Sequence, residues 1–131
     1  MGAALAARLS PQSIAVSPAT RAQLTLTGLC DGWPALAVKE HRTVDALYTF
    51  DSEDLQDWLR QQPDSCSELF LIGHNPAFTD LANELAPDAS LENLPTAGYV
   101  QLRLSLARWA DLTDGVGNLR HSLFPRDLPD R

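Results

Sequence analysis

Two residues in this chain have side chains suited to gripping an oxyanion, and each sits at the end of a short apolar run that breaks into a proline-started segment. Arg21 closes the stretch IAVSPATR, and His74 lies in LFLIGHNPAF directly before Asn75-Pro76. A guanidinium offers a planar fork to phosphate oxygens. An imidazole donates a hydrogen bond when neutral and carries charge as the pH falls. Ser17 and Asn75 each place a side-chain oxygen just before a proline, the pattern that caps the free amides of a helix start. Those amides, with the helix dipole, favour an anion. Arg21, His74, Ser17 and Asn75 therefore read as half of a phosphate pocket. The plainer alternative is a solvated arginine near a helix start and a structural histidine after a strand.

The elements that must position these residues alternate along the chain. Residues 3–9 read as the end of a helix and Ser13 to Val16 as a short strand. Ala22, Leu26, Leu29 and Cys30 then recur at helical spacing. Leu36 to Val38 is expected to be another short strand, and Leu55, Trp58 and Leu59 stripe a helix that stops near Pro63. Glu68 to Gly73 is a nearly unbroken apolar run of strand length, as in a parallel strand covered on both faces. Phe78, Leu81, Ala82 and Leu85 mark one face of a helix ending before Pro87. Val100, Leu102, Leu104 and Leu106 alternate with polar residues, and Leu119 to Phe124 returns after the turn at residues 114–118.

This pattern predicts an α/β fold: three layers, α/β/α, with a mostly parallel sheet and a C-terminal antiparallel hairpin. In open sheets of this kind ligands sit beyond the carboxyl ends of the strands, so both proline-started corners should face one crevice.

Composition narrows the function classes. The 131 residues suit one domain, with 44% hydrophobic and 21% charged residues. Seventeen acidic against ten basic residues leave a net charge of -7, which argues against nucleic acid and anionic membrane as partners. Cys30 and Cys66 are too few for a disulfide framework, and three scattered histidines show no metal-ligand spacing. With neither a signal peptide nor an apolar stretch long enough to span a membrane, the expectation is a cytoplasmic monomer. His41, after Glu40 in a polar stretch, reads as exposed, and His121 falls in the hairpin away from both corners. The three tryptophans read as packing residues.

VSPATRAQLT resembles the SPxxRAxQT segment of the histidine phosphatase superfamily, which has the phosphoglycerate-mutase-like fold, and LFLIGHNPAFTDLANEL resembles its GHNP segment. The likeness is greatest to the small SixA-type phosphohistidine phosphatases, and extends to Leu47-Tyr48, to LPTAGYVQL at 94–102 and to LFPRDL at 123–128. The resemblance implies phosphoryl transfer to a histidine of an Arg-His-Gly motif at the end of the family's first strand, then hydrolysis of that phosphohistidine by water, with no metal or other cofactor. It gives Arg21 and His74 the places of the second arginine and second histidine around the phosphate. The substrate would be a phosphorylated protein bearing phosphohistidine, or a small phosphomonoester.

No Arg-His-Gly occurs in residues 1–131. Neither His41 nor His121 matches a family catalytic position, and AALAARL resembles the end of the helix after that strand. The expectation is a chain truncated at its N-terminus relative to the family, lacking the nucleophile and inactive as it stands. Removing a central strand would leave its neighbours with unpaired backbone groups. Asp45, and less so Glu40, precede Leu47-Tyr48 and could supply an acid. Two other readings remain: a phosphate-binding module without turnover, and a structural fragment with an empty pocket.

Overall fold

The computed structural model describes residues 2–92 and 98–124. Three parallel strands form its centre. β1 (Ile14–Val16) pairs with β2 (Arg42–Thr43) on one side and β3 (Phe70–Ile72) on the other, with Val16 opposite both Thr43 and Ile72. The apolar β1 is buried at every position, as a central parallel strand requires. Polar, exposed β2 forms an edge.

The pleat divides the core into two layers. Ile14, Val16 and Ile72 pack with Leu5 of α1 (Gly2–Ala6), Ala22 and Leu29 of α2 (Thr20–Gly32) and Leu36 of α3 (Pro34–Ala37). Ala15 and Leu71 face the other way, toward Leu55 and Leu59 of α4 (Ser52–Arg60) and Leu81 and Leu85 of α5 (Ala77–Leu85). Because successive strand residues point to opposite faces, one three-residue strand serves both layers. Helices therefore cover both faces of the parallel sheet, in the three-layer order that the sequence predicts.

β4 (Tyr99–Leu104) and β5 (Gly117–Leu123) form a separate antiparallel pair, with a bulge between Gln101 and Leu102. Tyr99 and Leu123 belong to the first core layer and Leu102 and Leu104 to the second, just as Phe70 and Leu71 of β3 divide between the two. The Phe70 and Tyr99 rings lie 5.9 Å apart. The pair thus stands beside β3 between the same helix layers, yet no ladder joins β3 to β4 among the described residues.

Several local expectations change. Leu36 to Val38 is not a strand: Pro34 opens the helical turn α3, which buries Leu36, and the sheet partner is the polar Arg42-Thr43 instead. α2 begins at Thr20 rather than at Ser17-Pro18, because the Ser17 hydroxyl accepts the Ala19 N–H at 3.2 Å and closes a turn ahead of the helix. His41 is half-buried, not exposed. Its Nδ1 accepts the Ile14 N–H at 2.9 Å, and its Nε2 lies 2.8 Å from the Leu36 carbonyl, so it ties β1 to α3. Residues 94–97 and 125–128 of the two family-like tail segments lie outside the described residues.

Candidate active site

β1 and β3 end side by side, and the residues just beyond them make the corner. Ser17, the first residue after β1, is fully buried at 0% exposure and is held at every polar atom. Its N–H donates to the Ile72 carbonyl at 2.9 Å, and its carbonyl accepts from Gln23 Nε2 at 3.0 Å. Its hydroxyl accepts the Ala19 N–H and meets His74 Nε2 at 3.2 Å. Gln23 also donates to Thr43 Oγ1, linking α2 to the end of β2. The small hydroxyl thus fixes the imidazole from inside the fold.

His74 comes two residues after β3. The intervening Gly73 is required by packing: a Cβ there would meet the Phe78 ring at 2.1 Å, so the first turn of α5 folds down onto the corner. Tyr48 and Phe50 flank the imidazole, with ring centroids 5.3 and 5.7 Å away and interplanar angles of 71° and 78°. With Nε2 against Ser17, Nδ1 has no hydrogen-bond partner among the described residues.

Arg21 stands in the first turn of α2, exposed, its guanidinium without an ion-pair or hydrogen-bond partner among the described residues. Asn75 follows His74 directly, just ahead of α5. Its Oδ1 accepts from the Thr79 N–H at 3.2 Å and from the Thr79 hydroxyl at 2.6 Å, bracing the first turn of α5. The Asn75–Pro76 peptide is cis. Asp45 opens the 3-10 turn Asp45–Leu47 that leads to Tyr48; it is exposed and makes no hydrogen bond or ion pair with His74. Glu40 lines a concavity of about 630 Å³ with His41 and Glu68 at the amino ends of the strands, and none of Ser17, Arg21 and His74 lines it. His121 is exposed on β5.

The sequence brings Ser17 and His74 together as expected, but it did not reveal Phe50. In LYTFDSE neither type nor spacing marks that residue, and only the fold turns it outward beside His74. No described group of His, Cys, Asp and Glu side chains could hold a metal ion. Burial first and the Asp31 carboxylate second push the Cys30 thiol up, so it is a poor nucleophile near neutral pH. No helix among the described residues is long and apolar enough to cross a membrane.

No protein-family model and no curated protein matches the chain. A solved structure does: the "Putative Phosphohistidine Phosphatase SixA" from Nakamurella multipartitia superposes with a TM-score of 0.73 over 95% of this chain and 79% of that one, at 20% identity. The chain has the SixA-type histidine-phosphatase fold. Within this fold the Ser17–His74 contact joins the two strand-to-helix corners.

Proposed function

We propose that the Ser17–His74 corner binds a phosphoryl group and is the phosphate-holding half of a phosphohistidine phosphatase. The observation that carries this is the hold on His74 through Nε2, which leaves Nδ1 unengaged among the described residues, while the Arg21 guanidinium in the first turn of α2 also has no partner among them. Two hydrogen-bond donors at the carboxyl ends of adjacent parallel strands suit a phosphate's equatorial oxygens and the charge they gain during transfer.

The nucleophile in this account is a histidine on an additional strand that lies between β3 and β4. Support comes from those two strands, which share both core layers without a ladder between them. The substrate's P–N bond breaks as a P–N bond to that histidine forms, and the departing imidazole takes up a proton. Water then attacks phosphorus, releasing inorganic phosphate and the free histidine. Imidazole leaves readily, so the reaction asks little of Asp45 as an acid. The SixA-like neighbour and the open corner favour a phosphorylated protein as substrate over a small phosphomonoester.

Hydrolysis of a phosphohistidine protein tests the reading. The 131-residue chain alone should hold phosphate without turnover, and the chain extended by a strand ending in Arg-His-Gly should hydrolyse the substrate in an Arg21-dependent way. Phosphate binding with no hydrolysis in the extended chain would select the binding-module reading instead.

A further inference from the structure

Four large apolar side chains stand exposed among the described residues, and two of them, Tyr48 and Phe50, meet at His74. Tyr48 is 56% and Phe50 65% exposed, although each already packs against the imidazole. The loop that carries them is braced. Leu47 is fully buried; the Thr49 hydroxyl donates to Asp54 Oδ2 at 2.7 Å and accepts the Asp51 N–H at 3.0 Å; and Asp51 caps α4 by accepting the Glu53 N–H. Alternation therefore drives 47 and 49 into structure and holds 48 and 50 outward, so their exposure is imposed by the loop. Aromatic rings held exposed beside a phosphate-binding imidazole suit a flat apolar group. Asp45 and Asp51 border the same loop with negative charge, which disfavours a second anion there.

We propose that Tyr48 and Phe50 form a leaving-group subsite that selects phosphoryl compounds whose leaving group is an uncharged planar ring. This rests on the phosphate-holding reading of His74 and Arg21. The phosphoryl group sits on those two side chains, and the ring bonded to it lies against the exposed aromatic faces.

The test is calorimetric titration of the chain with inorganic phosphate, phenyl phosphate and glycerol phosphate. Phenyl phosphate should bind about tenfold tighter than inorganic phosphate, the scale of one to two aromatic contacts, and glycerol phosphate should gain nothing. The affinity ratio of phenyl phosphate to phosphate within each protein is the readout. Substituting both Tyr48→Ala and Phe50→Ala should bring it to about one, Tyr48→Phe should keep it, and the exposed control Leu24→Ala should leave it unchanged. Equal binding of phenyl and glycerol phosphates, or a ratio that survives the double substitution, overturns the subsite and leaves the phosphate site standing. Failure of the unmodified chain to bind inorganic phosphate overturns both.

Discussion

Ser17 Oγ lies 3.2 Å from His74 Nε2, across 57 residues of sequence and one junction between parallel strands. The same oxygen accepts the Ala19 N–H, so one buried hydroxyl sets both the turn into α2 and the rotation of the imidazole. Ser17→Ala removes a partner from each of two polar groups. It should cost about 1–3 kcal/mol of stability, the penalty for leaving such groups unsatisfied. Urea unfolding would measure that, and phosphate titration of the same variant should show weaker binding because His74 is no longer held. Full affinity would mean that the contact does not position the ring.

Asn75 provides the contrast. Its oxygen is engaged by Thr79, so Asn75→Ala should cost about 1 kcal/mol through the loss of a cap-like bond while leaving phosphate affinity within about twofold. A large loss of affinity, read by titration, would show that Asn75 also helps to hold phosphate.

Gly73 answers why the apolar run of β3 closes on glycine. The Phe78 ring occupies the space of a Cβ, so Gly73→Ala should destabilise by about 1–3 kcal/mol through overpacking. Adding Phe78→Leu should recover part of the loss. A double variant no more stable than Gly73→Ala alone, by thermal unfolding, would show that the strain lies elsewhere.

The two proline-started corners, the buried β1, the apolar β3 and the terminal hairpin were legible because each follows from a local pattern: a short apolar run, a cap oxygen before proline, or strict alternation. Leu36 to Val38 misled because three apolar residues fit a strand or a helical turn equally well, and the Pro34 start decided in favour of the turn. The real edge strand, Arg42-Thr43, is two polar residues with no apolar signal at all. At the candidate corner, the positions of Arg21 and His74 beside the two strand ends were visible by spacing. The outward placement of Phe50 and the bracing role of His41 depend on contacts between distant segments and leave no periodic trace.

His41 accepts from Ile14 at the first residue of β1 and reaches the Leu36 carbonyl on its other side. His41→Ala would leave both groups half-buried and unpaired, and should cost about 1–3 kcal/mol in urea unfolding. No change in midpoint would mean that water replaces both bonds without penalty.

Burial first and Glu68 second raise the Tyr99 phenol above its usual 10.0. A phenol raised in the folded state favours folding fully below the unfolded value, and that contribution is lost as the pH climbs from about 10 through the folded value. Stability should therefore fall more steeply above pH 10 in the unmodified chain than in Tyr99→Phe. Parallel slopes in thermal melts at pH 9 and 11 would contradict this.

Arg21 and His74 are proposed to hold a phosphoryl group together. Titration of the chain with inorganic phosphate, beside Arg21→Ala and His74→Ala, tests it most directly. Binding should be saturable, and each substitution should weaken it about ten- to a hundredfold, the scale of a charge-assisted hydrogen bond. Binding that both variants retain, or no binding by the unmodified chain, would contradict it.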